Sequence, residues 1–121
     1  MEDYKNIRIS LDADVIVDEL ISKFCFPTRV SAMRFALAYA LRDFRGEIDF
    51  EALDNMYEKN GTNLNTGTFD DQNMIIRTLI MTLFPNCETP YKYARVAIIY
   101  GLNKLKENMD TNPSFSIVDI M

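Results

Sequence analysis

The sequence has no histidine and no tryptophan, and only two cysteines, four glycines and four prolines in 121 residues. The missing histidine removes the commonest general base and the commonest zinc ligand. Two cysteines alone cannot fill a tetrahedral metal site, and no glycine-rich or basic loop that would activate a thiol follows Cys25 or Cys87. We therefore predict a non-enzymatic protein without metal or cofactor, in which both cysteines are buried, reduced thiols.

Long apolar runs are also missing. No stretch approaches the ~20 residues that a membrane span requires, and the charged start MEDYKN does not resemble a signal peptide. These absences predict a cytoplasmic protein without a membrane partner. The loop over residues 61–67 lacks the Gly-Lys-Ser/Thr of a phosphate-binding loop, so we expect Gly61 and Gly67 in a turn at positive φ.

Charge is segregated along the chain, whose formal net charge is −5. Residues 20–45 carry five bases and one acid, and residues 72–106 carry the same numbers. The intervening residues 46–71 carry seven acids and one base. An acidic protein repels nucleic acid in general, but this segregation leaves room for a basic patch on its surface.

The stretch over residues 27–44, PTRVSAMRFALAYALRDF, predicts the central helix of the fold. Thr28 or Ser31 can cap its first amides, and a glycine cap is expected near Gly46. The helix is apolar on almost every side, and such a helix must be enclosed by other helices or other subunits. We therefore predict an oligomer in which this helix contributes to the core and to the subunit contacts.

The remaining pattern predicts an all-α compact domain with a short extended arm. Residues 5–11 alternate polar and apolar side chains, as a half-buried strand does. Residues 1–109 are expected to form a single domain, with a loop over residues 60–71. Residues 110–121 are expected to form a tail that is frayed or docks on a neighbour. A first helix is predicted to follow a cap at Asp12 or Asp14 and to end near Phe24. Further helices are predicted within residues 47–59, over residues 72–83 with Asp70 or Asp71 as cap, and over residues 90–108.

A sequence motif that occurs twice in the chain supports an architecture of two helix pairs. Arg34-x-Ala36-x-x-Tyr39-Ala40-Leu41 recurs 61 residues later as Arg95-x-Ala97-x-x-Tyr100-Gly101-Leu102. We expect each arginine to reach a carboxylate on a neighbouring element, Asp18 or Glu19 for Arg34; alternatively, both point outward and bind phosphate. The positions assigned to the core and the subunit contacts are Ala32, Arg34, Ala36, Tyr39, Ala40, Arg95, Ala97, Tyr100 and Gly101.

The layout of residues 4–45, a strand followed by two helices, resembles the ribbon-helix-helix proteins. In that fold, paired strands from two subunits insert alternate polar side chains into the major groove of DNA. The corresponding side chains here are Asn6, Arg8 and Ser10. This resemblance implies a dimeric transcriptional regulator.

A longer resemblance spans residues 4–108. The segments IRISLDADVIVDELISKFCFPTRVSAMRFALAYAL, GTNLNTGTF and LIMTLFPN, and a final helix ending GLNKLKE, are similar in order and spacing to the DndE family of DNA sulfur-modification proteins. The resemblance implies a small helical, tetramer-forming accessory subunit of the bacterial phosphorothioation machinery, which replaces a backbone oxygen of DNA with sulfur. It also implies binding of DNA, with a preference for nicked duplex, and three partners: a cysteine desulfurase, an iron–sulfur protein and an ATPase.

Charge segregation and this resemblance together predict a DNA-binding homo-oligomer. Two alternatives remain open: the ribbon-helix-helix regulator, and an interaction module in which acidic residues 46–71 bind a basic partner protein without touching DNA. The candidate DNA contacts are Lys5, Arg8, Lys23, Arg29, Arg42, Arg45, Lys92, Lys104 and Lys106.

Overall fold

The computed structural model describes residues 2–70 and 72–120, and within them it contains six α-helices and one two-stranded antiparallel sheet. The mostly helical class is confirmed, whereas the second strand and helix α4 replace part of a predicted loop. Short 3-10 turns cover Arg45–Glu47 and Ile117–Ile120. In chain order the main elements are β1 (Asn6–Arg8), α1 (Leu11–Phe24), α2 (Arg29–Asp43), α3 (Phe50–Met56), β2 (Asn63–Asn65), α4 (Thr66–Phe69), α5 (Ile75–Leu83) and α6 (Pro90–Thr111).

Side-chain caps fix the starts of the first two helices. At α2, Thr28 Oγ1 accepts from the Ser31 amide at 3.0 Å, and Ser31 Oγ accepts from the Thr28 amide at 3.1 Å. This reciprocal capping box confirms the predicted start. Helix α1 begins earlier than predicted because Ser10 caps it, so the assignment of Asp12 or Asp14 as its cap is wrong.

Helix α5 takes its cap from a residue outside the helix. The carboxylate of Asp70 accepts from the backbone amides of Ile76 and Arg77, each at 3.0 Å. The capping role predicted for Asp70 is therefore confirmed, although the helix begins at Ile75 instead of residue 72. The alternative cap, Asp71, lies outside the described residues.

Helix α6, and not α2, is the central helix. Residues 94–99 are all buried, so neighbouring elements cover α6 on every side over nearly two turns. Helix α2 instead exposes a ridge formed by Arg34, Ala38 and Arg42. The sequence could not distinguish the two helices, because alanine suits a buried and an exposed helix face equally well.

Helices α2 and α6 make the most extensive helix–helix contact of the fold. They approach so closely that a Cβ atom on Gly101 would lie 2.1 Å from the Ala36 carbonyl oxygen. The small residues assigned to the core and the subunit contacts are buried within this single chain, which confirms their place in the core and leaves them inaccessible to a second copy. These residues are Ala32, Ala36, Ala40, Ala97 and Gly101, with Tyr39 almost as deeply buried.

The C-terminal segment folds back onto its own chain. Helix α6 continues to Thr111, two residues beyond the predicted domain boundary, so the tail begins at residue 112. The Phe115 ring then packs edge-on against Phe24, with ring centroids 6.0 Å apart. Arg42 donates a hydrogen bond to the Ile120 carbonyl oxygen. The tail therefore docks on α1 and α2 of the same molecule.

Two further predictions about local geometry are wrong. None of the four glycines, all of them described, has positive φ, which occurs instead at Cys25 and Met74. Gly61 is needed for space, because a Cβ atom there would lie 2.5 Å from the Ser10 carbonyl oxygen and from Asp14 Oδ2. Cys87 is buried as expected, but Cys25 is exposed.

Candidate nucleic-acid interface

Six of the nine candidate cations are neutralised by carboxylates of the same chain. A phosphate group that approached one of them would compete with an acid already in place. The pairs are Lys23 with Glu19, Arg29 with Asp14 and Asp18, Arg42 with Asp43, Lys92 with Glu51, Lys104 with Glu47 and Glu107, and Lys106 with Glu19 and Asp110.

Several of these pairs link helices. The Lys106 ammonium of α6 lies 2.8 Å from a Glu19 oxygen of α1 and 3.2 Å from an Asp110 oxygen. The hydrogen bonds to Glu19 and Asp110 raise the pKa of Lys106 above the usual lysine value. Arg29 binds the α1 carboxylates at the turn into α2. These cations therefore connect the helices of the fold.

The arginine of α2 has a partner that the sequence did not suggest. Arg34 donates its Nε hydrogen to the Phe69 carbonyl oxygen at 2.9 Å, and its guanidinium lies 5.8 Å from the Phe69 ring centroid. The predicted pairing with Asp18 or Glu19 is wrong, because those carboxylates bind Arg29 and two lysines. Arg45, a further candidate cation, donates to the Leu41 carbonyl oxygen at the end of α2 at 3.0 Å.

The last two candidates, Lys5 and Arg8, lie at the small sheet. Strand β1 pairs with β2 so that Asn6 faces Asn65 and Arg8 faces Asn63. All four of these side chains are exposed, whereas Ile7 between them is fully buried. We call Asn6, Arg8, Asn63 and Asn65 the sheet face. It carries three carboxamides and one guanidinium on a single exposed surface.

A cation that sequence reasoning missed lies beside this face. The Lys59 ammonium sits 4.9 Å from the Tyr4 ring centroid, and Lys59 lines a small cavity of about 80 Å³ together with Tyr4, Asn6, Arg8 and Arg95. Neither Arg8 nor Lys59 forms an ion pair with any described residue. Lys59 belongs to the most acidic block of the sequence, so only the tertiary fold reveals its position next to Arg8.

Arg95 lines this cavity and fixes strand β1 through hydrogen bonds. Its Nε donates to the Arg8 carbonyl oxygen at 2.7 Å and its Nη1 to Asp54 Oδ1 at 2.9 Å. Its Nη2 donates to the carbonyl oxygens of Tyr57 and Glu58 at 2.8 Å each. The expectation that Arg95 pairs with a carboxylate inside the fold is thus confirmed.

The acidic block is occupied by internal contacts. Asp54 and Asp70 are buried. The four exposed acids also have partners: Glu47 binds Tyr100 and Lys104, Asp49 caps α3, Glu51 binds Lys92, and Glu58 accepts from Asn60. The remaining acid, Asp71, lies outside the described residues. Most of the block therefore stabilises the fold and is not free to form a docking surface for a basic partner.

The environment of Cys87 does not activate its thiol. Burial raises the pKa of the Cys87 thiol, which keeps it protonated and weakly nucleophilic at neutral pH. Among the described residues, no group of three or more His, Cys, Asp or Glu side chains is arranged to hold a metal ion.

No protein-family model matches this chain, and no curated protein or solved structure matches it significantly. Within residues 2–70 and 72–120, no helix is both long and apolar enough to cross a membrane.

Proposed function

We propose that this chain is a non-enzymatic DNA-binding protein, and specifically a cytoplasmic accessory subunit of a bacterial DNA phosphorothioation system that acts as a homo-oligomer. The observation that carries the DNA contact is the sheet face with its adjoining cations, Arg8 and Lys59, which have no carboxylate partner among the described residues. The order and spacing of the motifs that resemble the DndE family support the assignment to this system and its partners, a cysteine desulfurase, an iron–sulfur protein and an ATPase.

The chemistry of the sheet face suits duplex DNA. A two-stranded ribbon fits the major groove, where an arginine fork recognises guanine and a carboxamide recognises adenine. Arg8 and the asparagines supply these groups, while Lys5 and Lys59 supply positive charge for the phosphates. Each strand is only three residues long, so the face contacts few bases and phosphate binding supplies most of the affinity.

The two alternative functions are less well supported. A ribbon-helix-helix dimer pairs its N-terminal strand with the same strand of a second subunit, but here β1 pairs with β2 of its own chain. On the other side of β1, the Arg8 carbonyl oxygen already accepts a hydrogen bond from Arg95. A module that binds basic proteins would need free carboxylates in residues 46–71, where most acids already have partners.

Gel-shift titration of nicked and intact duplex DNA at two salt concentrations tests the DNA contact. We expect salt-sensitive retardation, stronger with nicked DNA. Lys59→Ala should weaken binding and reduce the salt slope by about one, whereas Arg8→Ala should weaken binding and relax the preference for particular bases. Lys23→Ala is the matched control, because its ammonium already faces Glu19. Absence of retardation, retardation insensitive to salt, or equal losses in all three variants would contradict the proposal.

Assignment to a sulfur-modification system requires a separate experiment. The tagged chain should co-purify with a cysteine desulfurase, an iron–sulfur protein or an ATPase when they are co-expressed from its own operon. DNA binding without any such partner would remove the assignment and leave the DNA contact standing.

A further inference from the structure

Six of the 13 cations form no ion pair with any residue that the structure describes. They are Lys5, Arg8, Arg34, Arg45, Lys59 and Arg77. Three of them, Lys5, Arg8 and Lys59, lie at the small sheet or beside it. Two more, Arg34 of α2 and Arg77 of α5, carry charge that neither the core nor the sheet face uses.

Arg34 is anchored in a way that leaves most of its guanidinium free. Its Nε donates to the Phe69 carbonyl oxygen at 2.9 Å, and its Nη2 donates to the same oxygen. A guanidinium has five N–H donors, so three are left without a partner among the described residues. Arg34 is also exposed. Because the anchor already restricts the side chain, a new contact would cost it little further entropy.

Arg77 is attached to the next residue of the same segment. Its backbone amide donates to the carboxylate of Asp70 at 3.0 Å, whereas its side chain is exposed and has no hydrogen bond to a described residue. Arg77 lies in the first turn of α5, where the helix dipole disfavours a cation. Its charge therefore does not stabilise the helix that carries it.

The carboxylate of Asp70 does not face the solvent between these two arginines. Asp70 is only 2% exposed. Its oxygens accept hydrogen bonds from the first amides of α5 and from the Tyr91 hydroxyl. The solvent-facing groups that the described chain places here are therefore the two guanidinium groups.

Helix α4 connects this pair of arginines with the sheet face. It follows β2 directly, and the Thr66 amide at its start donates to the Lys5 carbonyl oxygen at 3.1 Å. Phe69, which anchors Arg34, is its last residue. A helix of four residues is only about 6 Å long, so the anchor lies about 6 Å from the end of the sheet. That distance corresponds to about two phosphates along one strand of DNA.

We infer that Arg34 and Arg77 bind phosphate groups of the same DNA duplex whose bases the sheet face contacts. The sheet face lies in the groove, and the sugar-phosphate backbone beside it passes along α4 to the two guanidinium groups. Arginine suits this role because its planar fork matches the geometry of a phosphate. The inference rests on the proposed function and extends it, since it identifies cations outside the short strands that supply sequence-independent affinity.

Gel-shift titration at two salt concentrations tests the two contacts. Loss of one phosphate contact lowers the magnitude of the salt slope by about 0.9. Arg34→Gln and Arg77→Gln should each have this effect, and the double variant should have about twice the effect. Affinity should fall equally for all DNA sequences, unlike in Arg8→Ala. Arg34→Lys and Arg77→Lys keep the charge and should keep the wild-type slope.

Arg45→Gln is the matched control for Arg34→Gln. Arg45 is also exposed, has no carboxylate partner among the described residues and donates to a backbone carbonyl oxygen, but it lies beyond the far end of α2. It should keep the wild-type slope, and circular dichroism should show that every variant retains its helices. If Arg34→Gln loses its fold, Arg77→Gln still tests the inference, because the Arg77 side chain has no hydrogen bond to break among the described residues.

The outcomes separate this inference from the proposed function. Wild-type slopes in both glutamine variants would overturn the inference and leave the contact of the sheet face standing. An equal loss in Arg45→Gln would also overturn it, because any surface cation would then have the same effect. If the wild-type chain does not retard DNA at all, the proposed function is wrong and the inference is wrong with it.

Discussion

Arg95 connects the core to the proposed DNA contact. Its guanidinium is fully buried and donates five hydrogen bonds, to β1, to the Asp54 side chain and carbonyl, and to the segment that follows α3. The Tyr4 hydroxyl donates to the second Asp54 oxygen at 2.6 Å. Because all of its N–H donors are satisfied, Arg95 fixes the backbone of Arg8 on one side. On the other side it fixes the backbone just before Lys59.

Replacing Arg95 with methionine should therefore be strongly destabilising. The substitution leaves the Asp54 carboxylate buried without its partner, which costs about 3–5 kcal/mol in comparable cases. Urea unfolding followed by circular dichroism measures the free energy of unfolding. Lys5→Met, at an exposed cation, is the matched control and should change it by less than about 0.5 kcal/mol. Similar values for the two variants would show that the buried network does not stabilise the fold.

The sequence predicted only half of this arrangement. An arginine inside an apolar helix predicts a buried carboxylate partner, and that expectation is correct for Arg95. The identity of the partner was hidden, because Asp54 occurs in an acidic block that is typical of a solvated surface. Lys59 was missed for the same reason. Side-chain partners far apart in sequence depend on tertiary packing, which no local pattern encodes.

At the scale of elements, the contact between α2 and α6 depends on one missing side chain. The Cβ atom of an alanine at position 101 would overlap the Ala36 carbonyl group, whose oxygen, carbon and Cα atoms all lie within 3.2 Å. These are backbone atoms of a packed helix, so they cannot move away as a flexible side chain would. The two helices must separate to accept even one methyl group.

We expect Gly101→Ala to lower the free energy of unfolding by about 3 kcal/mol, the upper part of the range for overpacked cores. The gain in helix propensity from glycine to alanine, at most about 1 kcal/mol, offsets the strain only partly. Gly46→Ala is the matched control, because no atom lies within 4 Å of its Cβ position. Thermal unfolding of both variants measures the difference, and equal midpoints would contradict the close approach.

Several elements follow directly from local sequence signals. The Thr28 cap, Pro90 in the first turn of α6 and the end of α1 at Phe24 are all as predicted. Strand β2 was missed because Asn63-Leu64-Asn65 has a single apolar residue within a composition typical of turns. Its strand conformation depends on pairing with β1.

At the scale of the whole molecule, the C-terminal segment completes the core. Phe115, Ile117 and Ile120 pack against it, and the Phe115 ring contacts Phe24 of α1. Because α1, α2 and the tail share these contacts, we expect one cooperative unfolding transition for the entire chain.

Phe115→Ala should lower the free energy of unfolding by about 2 kcal/mol, roughly half the cost of deleting a fully buried phenylalanine. The half-buried position of the ring is the reason for the smaller value. Val118→Ala, at an exposed apolar residue of the same segment, is the control and should be nearly neutral. If Phe115→Ala also proved neutral, the tail would not be docked in solution.

The overall acidity of the chain gave a misleading impression of its surface. The blocks of opposite charge are brought together by folding and neutralise each other in pairs such as Lys106 with Glu19 and Lys92 with Glu51. Arg8 and Lys59 are among the cations that form no ion pair with the residues the structure describes. The sequence predicted that charge is segregated, but the choice of free cations is a property of the folded molecule.

The unequal exposure of the two cysteines has a practical consequence. Cys25 lies at the surface just after α1, while Cys87 is enclosed by its neighbours. A maleimide dye should therefore label the native chain at one thiol only, and denaturation should be needed to label the second. A natural single-label handle of this kind lets energy transfer between donor- and acceptor-labelled molecules report when copies meet, without introducing any foreign residue.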